Sequence, residues 1–320
     1  MKQQTPFKLK TVEKLEILVV VDNYADTMME PAPGVVRQPM GIDGKLPSDT
    51  LLAEHGLCLL ITAEAEGRHV RILLDAGYSP VAAPRNLQLM GITGGDLDAI
   101  VVSHGHEDHV GALDELWRWA GKPPVFLHPK AFAFPRYYKA DDGMLYESPR
   151  MLERGLLLNE GMDLRESTGP TVIGGGLFLV TGEIPRRTDF EHGLPGSLMV
   201  ENGKEIPDTV PDDQAVVIDL KESGLVVVSG CAHAGIVNTI LYSRECTGGR
   251  PIYAVIGGFH LNGEPFRPAI QPTLEAVKRE NPALVSPMHC TGLEAKSIFR
   301  NQLGTAYAES TVGTNFVFPF

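Results

Sequence analysis

Little in this sequence offers covalent staples, positive charge or a membrane anchor. Its four cysteines, Cys58, Cys231, Cys246 and Cys290, show no paired spacing in a chain of 320 residues. That fits reduced thiols in a cytoplasmic protein better than a disulfide framework, with one or two of them available as metal ligands. Basic residues are short, 28 Lys and Arg against 40 Asp and Glu, for a formal net charge of −12. Such a surface repels polyphosphate, and no Lys/Arg-rich stripe interrupts it, so nucleic acid is not an expected partner. Near the start, Lys2, Lys8, Lys10 and Lys14 surround or precede an apolar run, Ile17–Val21, that Asp22 stops. The run is too short for a signal peptide or a membrane span, so no membrane partner is expected either. Oligomeric state is open.

What is present is apolar sequence in short pieces. The chain is 43% hydrophobic and long enough to bury a substantial core. Runs rich in Val, Ile and Leu alternate with helical patterns, which predicts an α/β protein with sheets covered by helices. Strands are expected at Leu15–Val21, Leu57–Thr62, Val70–Leu74, Ala99–Val102 and Val125–His128. A second set is expected at Leu177–Thr181, Ala215–Leu220, Leu225–Val228, Tyr253–Ile256 and Leu284–Met288. Helices are expected at Pro84–Met90, Val110–Ala120, Gly235–Arg244, Pro272–Arg279 and Gly292–Gln302. Thr291 is the expected N-cap of the last, and Pro272 suits a first helical position.

The chain repeats itself. In each half a hairpin ends in a small-residue turn, Asp75-Ala76-Gly77 or Cys231-Ala232-His233-Ala234-Gly235, and a helix and another strand follow. The interval from Asp75 to His104 equals that from Cys231 to His260. We therefore expect one domain over residues 1–320 made of two pseudo-symmetric halves, about 15–170 and 171–320, whose turns meet along one edge. Three long segments, Met29–Asp49, Phe132–Pro149 and Ile184–Asp213, lack regular pattern and read as lids or pocket walls.

The densest chemistry lies in His104-Gly105-His106-Glu107-Asp108-His109, at the passage from a buried strand into a helix. Three imidazoles and a carboxylate within six residues serve no core but offer ligands for zinc, iron or manganese. Gly105 is expected to permit a tight turn that points two histidines inward together.

The run SHGHEDHVGAL resembles the His-x-His-x-Asp-His signature of the metallo-β-lactamase superfamily, and ILLDAG resembles the aspartate-bearing strand that precedes it there. The phrases VDN (Val21–Asn23), EHGLCLLI (Glu54–Ile61), TGEIPR (Thr181–Arg186), DDQA (Asp212–Ala215), GCAHAGI (Gly230–Ile236), IGGFHL (Ile256–Leu261) and HCTG (His289–Gly292) are similar to its dihydropteroate-synthase-like branch. The resemblance implies an αββα fold, a four-layer sandwich of two mixed β-sheets covered by helices. It implies one or two divalent metal ions, zinc foremost, with iron or manganese as alternatives. His104, His106 and a later histidine would hold the first ion, while Asp108 and His109 begin a second site. Asp75 would lie behind the ligands and orient them. Where the superfamily supplies a bridging aspartate in a Ser-Gly-Asp turn, this chain has Ser229-Gly230-Cys231. Cys231 thus reads as a ligand or as a buried structural thiol, and His233 as a replacement ligand. His289, closing a late strand, fits the last superfamily histidine. His260 reads as ligand, substrate contact or core residue.

The function so implied is a hydrolase in which the metal activates water against a small, anionic, ester- or phosphodiester-type substrate. Asp108 would position that water or accept its proton, and His233 or His260 would protonate the leaving group. Arg186 and Arg187 are the nearest cations for an anionic group, or else a solvated loop pair. His55, His69, His128 and His192 read as structural or solvated. The resemblance also admits a transferase that joins a pterin diphosphate to an arylamine. Iron-dependent redox chemistry and a non-catalytic metal-binding scaffold complete the alternatives.

Overall fold

A strand that is apolar at every position has to be covered on both faces. Ala215–Leu220 and Gly224–Ser229 are buried at every residue, and Cys58–Ala65 at nearly every one. The structure, a computed structural model, describes residues 5–41, 43–95, 97–140 and 142–319. Lys2, and Ile42 and Asp141 within two of the expected loops, lie outside the described residues.

Two sheets provide that cover for each other. The eight-stranded sheet runs Val35–Val36, Asn315–Phe318, Lys14–Val21, Cys58–Ala65, Arg68–Leu74, Ala99–Val101, Val125–Leu127, Leu164–Glu166. The six-stranded sheet runs Thr171–Ile173, Phe178–Val180, Ala215–Leu220, Gly224–Ser229, Ile252–Gly258, Leu284–Met288. Successive side chains on a strand point to opposite faces. Leu59, Ile61, Ile72 and Leu74 accordingly meet Val216, Ile218, Val226 and Val228 between the sheets. The alternate residues Leu60, Leu73 and Ile100 turn outward onto Leu87, Leu116 and Trp117, which lie on helices Ala82–Leu89 and Leu113–Trp119. On the other side Val217, Val227 and Val255 pack on Ile240, Leu274 and Phe299, from helices Ile236–Cys246, Arg267–Glu280 and Leu293–Leu303. The result is the four-layer αββα sandwich, and no helix among the described residues is long and apolar enough to cross a membrane.

The internal repeat is visible in the pairing. In each sheet an antiparallel hairpin is continued by two parallel strands on its second arm. Parallel strands bring their carboxyl ends to one edge, where ligands of such sheets bind. Asp75, His104, Cys231, His260 and His289 all follow the ends of these strands. The two hairpins lie in different sheets, as expected. The C-terminal strand departs from the expected division into halves: Asn315–Phe318 returns to pair with Lys14–Val21 in the first sheet.

Several local expectations are corrected. Phe132–Pro149 and Ile184–Asp213 contain a third, four-stranded antiparallel sheet, ordered Lys204–Pro207, Ser197–Glu201, Arg136–Lys139, Leu145–Glu147. Its strands are short and mostly exposed or half-exposed, so they carry little hydrophobic periodicity to read. Met29–Asp49 adds the short strand Val35–Val36 beside Asn315–Phe318. The helix expected at Val110–Ala120 is two, Glu107–Val110 and Leu113–Trp119. Pro272 lies inside its helix, which begins five residues earlier at Arg267. Thr291 does not cap the last helix: its hydroxyl accepts the Phe259 N–H at 2.9 Å, and Gly292 occupies the cap position.

Ile72 is fully buried at the centre of the inter-sheet core. Ile72→Ala is expected to lower the unfolding free energy by about 2–5 kcal/mol, the usual cost of a buried cavity. Chemical denaturation should show a lower midpoint at unchanged slope.

Candidate metal centre

Histidines 104, 106 and 109 occupy the turn after strand Ala99–Val101, and their ring orientations follow from what lies behind them. The fully buried carboxylate of Asp75 accepts the Ser103 N–H at 2.7 Å and the Ser103 hydroxyl at 2.7 Å. That hydroxyl has spent its one proton, so at 2.9 Å it accepts from His104 Nδ1 and leaves His104 Nε2 as a lone pair. Asp75 also accepts directly from His109 Nδ1 at 2.6 Å, so His109 Nε2 faces the centre. One carboxylate thus sets two rings.

His289 is set from the other end of the chain. Asn23 Oδ1 accepts from His289 Nδ1 at 3.1 Å, and Asp22 Oδ1 accepts the His289 backbone N–H at 3.0 Å. His289 Nε2 is left 3.2 Å from His109 Nε2 and 3.3 Å from an oxygen of Asp108. His104 Nε2 lies 3.0 Å from His106 Nδ1, and Cys231 Sγ 3.1 Å from His109 Nε2. Both ring nitrogens of the buried His233 lack any partner, as does His260 Nδ1. Buried polar atoms are normally paired. Unpartnered ring nitrogens that converge with a carboxylate fit a cation.

Electrostatics reinforce this. Burial foremost holds His104 and His233 well below the ordinary imidazole value. Burial, then the Arg136 guanidinium, takes His106 down to about 3. Against the effect of burial, Asp108 and Asp75 raise His109 to about 9. Against its own burial, His109 and His289 hold Asp108 well below the usual carboxylate range.

The donor atoms form overlapping trios in which all lie within 4.8 Å of one another: His104, His106, His233; Asp108, His109, His289; and three that share Cys231. Every residue singled out at 104, 106, 108, 109, 231, 233 and 289 is therefore brought to one place, with Asp75 behind them and His260 beside His233 at a ring separation of 4.3 Å. His104 and His106 do point inward together, and Gly105 contributes close approach. It has no left-handed conformation; its N–H donates to Asp212 at 2.7 Å, and a Cβ there would fall 2.1 Å from the Ala131 carbonyl oxygen. The halves meet where Gly230 lies so near Ser103 that a Cβ would fall 2.1 Å from the hydroxyl.

The two arginines are not brought into the cleft. Arg187 pairs with Glu245 on the exposed side of helix Ile236–Cys246. Arg186 donates to the Thr209 carbonyl and lies 3.5 Å from the His233 carbonyl, bracing backbone. The cation that lines the cleft is Arg136, between Asp212 at 2.6 Å and Asp208 at 3.0 Å. It was hidden in a segment read as loop. His55 also lines the cleft, 3.3 Å from Asp108. Asp22, Asn23 and Asp212 support the site, and VDN and DDQA were the phrases that marked them. His128 is structural, its Nδ1 accepting the Lys130 N–H at 3.1 Å. The donors open into a cleft of about 420 Å³ whose far wall is the four-stranded sheet.

The chain belongs to the metallo-beta-lactamase superfamily, whose sequence profile matches residues 53–236. It is 32% identical over 254 residues, 78% of its length and 85% of the relative's, to 7,8-dihydropterin-6-methyl-4-(beta-D-ribofuranosyl)-aminobenzene-5'-phosphate synthase of Methanocaldococcus jannaschii. A solved structure described as a metal-dependent hydrolase of the beta-lactamase superfamily superposes with a TM-score of 0.70, at 24% identity, over 94% of this chain and 98% of that one. A diphosphatase of the PhnP family superposes at 0.50, with 14% identity, over 96% and 98%. Both show the shared fold.

Arg136→Ala would leave two buried carboxylates unpaired and is expected to cost about 3–5 kcal/mol at pH 7. Arg136 helps hold Asp212 below its ordinary value of 3.8, so its stabilisation is present above that pH and is lost as pH falls through the depressed value. Denaturation at pH 7 and at about pH 2.5, below the ordinary carboxylate value, should show the deficit of the variant shrinking with acid.

Proposed function

We propose that this chain is a metal-dependent hydrolase, binding one or two divalent ions, zinc foremost, and cleaving a small ester- or phosphodiester-type substrate. The observation that carries it is the convergence of six donor residues, His104, His106, His109, His233, His289 and Asp108, around Cys231 at the floor of an open cleft. His104, His106 and His233 would hold one ion and Asp108, His109 and His289 a second, with Cys231 between them. A bound divalent ion supplies Lewis acidity, lowering the pKa of water and polarising the bond to be cleaved.

The protein's own groups do the rest. Asp75 and Ser103 hold His104 and His109 in the required tautomers. The ionised Asp108 is placed to accept a proton from water in the cleft, and His260, which lines it with an unpartnered Nδ1, to give one to a leaving group. Arg136 is matched by two carboxylates, so an anionic substrate would depend on the ions for its charge. The four cysteines are free and buried, which supports a reducing cytoplasm as the location. A second reading, transferase chemistry joining a pterin diphosphate to an arylamine, is favoured by the synthase relative at 32% identity.

Purified protein should carry one or two equivalents of metal and lose most of it in His106→Ala. It should hydrolyse at least one of a panel of phosphodiesters, thioesters and lactones, with activity lost to chelators. Unchanged metal content in the variant, or chelator-resistant hydrolysis, would sink the proposal. Proton release is a separate check. His109, raised to about 9, is protonated at pH 7 and has to lose that proton to accept an ion. Zinc uptake by chelated protein should therefore release about one more proton at pH 7 than at pH 10, measured by calorimetry in buffers of differing ionisation enthalpy.

A further inference from the structure

We propose that Cys290 joins Cys231 to make this a two-thiolate centre, a soft-metal site completed by His289 that selects zinc over magnesium, calcium or manganese. The inference rests on the metal reading above, and concerns which atoms hold the ion rather than whether one binds.

The four cysteines fall into two kinds. Cys58 and Cys246 are packed within apolar clusters, the ordinary place for an inert buried thiol. Cys231 and Cys290 are equally buried, yet their neighbours are imidazoles. Cys231 Sγ, His289 and Cys290 Sγ lie mutually within 4.8 Å, as do Cys231 Sγ, His233 and His260. Donors that share a tetrahedral ion at zinc–nitrogen and zinc–sulfur bond lengths lie about 3.4–3.8 Å apart, so both trios could close on an ion with small shifts. The Cys290 thiol faces the Cys231 and His260 side chains and makes a long contact, 3.6 Å, to the Cys231 carbonyl.

Backbone conformation supplies the second argument. Consecutive residues of an extended strand point to opposite sides, so His289 and Cys290 would diverge if Leu284–Met288 simply continued. Instead His289 has φ 51°, a left-handed conformation unfavourable for a residue with a Cβ, and Asp22 holds its N–H. The reversal brings both neighbours to the Cys231 side. Ala232, between Cys231 and His233, and His260 have φ 55° and 45°. Strain repeated at three turns around one point is what a functional constraint leaves behind. Thiolates prefer zinc to the hard, oxygen-seeking ions.

The test loads chelated, reduced protein with cobalt(II) and follows thiolate-to-cobalt absorption in the near ultraviolet, with bound cobalt measured in the same samples. Per bound cobalt, the band should fall to about half in Cys231→Ser and in Cys290→Ser, vanish in the double variant, and persist in Cys246→Ser. An undiminished band in Cys290→Ser overturns the proposal while leaving the hydrolase reading intact; wild type that binds no cobalt or zinc overturns both. Zinc-edge X-ray absorption of the wild type needs no variant to fold. Two sulfur neighbours per protein support the inference and one refutes it.

Discussion

The carboxylate of Asp75, sealed between the two halves, is the interaction on which the site depends. A buried charge survives only when its hydrogen-bonding capacity is met, and three donors meet it here: the Ser103 amide, the Ser103 hydroxyl and the His109 ring. Each of those bonds also fixes something beyond itself. The amide holds the start of the histidine turn against the hairpin of the same half. The hydroxyl, committed as a donor, sets His104, and the direct contact sets His109. Gly230 of the other half can approach only because it brings no side chain into this contact.

Around this point the protein spends stability on placement. Four non-glycine residues next to or within the donor set, Asp75, Ala232, His260 and His289, have left-handed backbone. Asp22 and Asn23, more than 260 residues before it in sequence, anchor His289. The buried Arg136–Asp212 pair ties the four-stranded sheet to the Gly105 amide, so the wall of the cleft and the turn that bears the histidines are one connected polar network.

Much of this was legible locally. The apolar runs with both faces buried located ten of the strands to within a few residues, because burial leaves its pattern in the segment itself. The repeat of hairpin, helix and strand was legible for the same reason, and it correctly brought Asp75 and Cys231 to one edge. The cleft wall was not legible. Its strands are held by pairing with one another and by Arg136, and half-exposed strands have no hydrophobic period to betray them. Nor was the displacement of Arg186 and Arg187: a guanidinium in a loop looks the same in sequence whether it faces substrate, a carbonyl or a surface glutamate.

By itself the sequence determined the donor-rich turn from His104 to His109, the αββα layering and the family, since each is written in contiguous residues. Tertiary structure alone decided which distant groups complete the centre. Arg136 arrives there through sheet pairing and Cys290 lies near Cys231 through the left-handed turn at His289, and those depend on contacts between segments far apart in the chain, which no local pattern records.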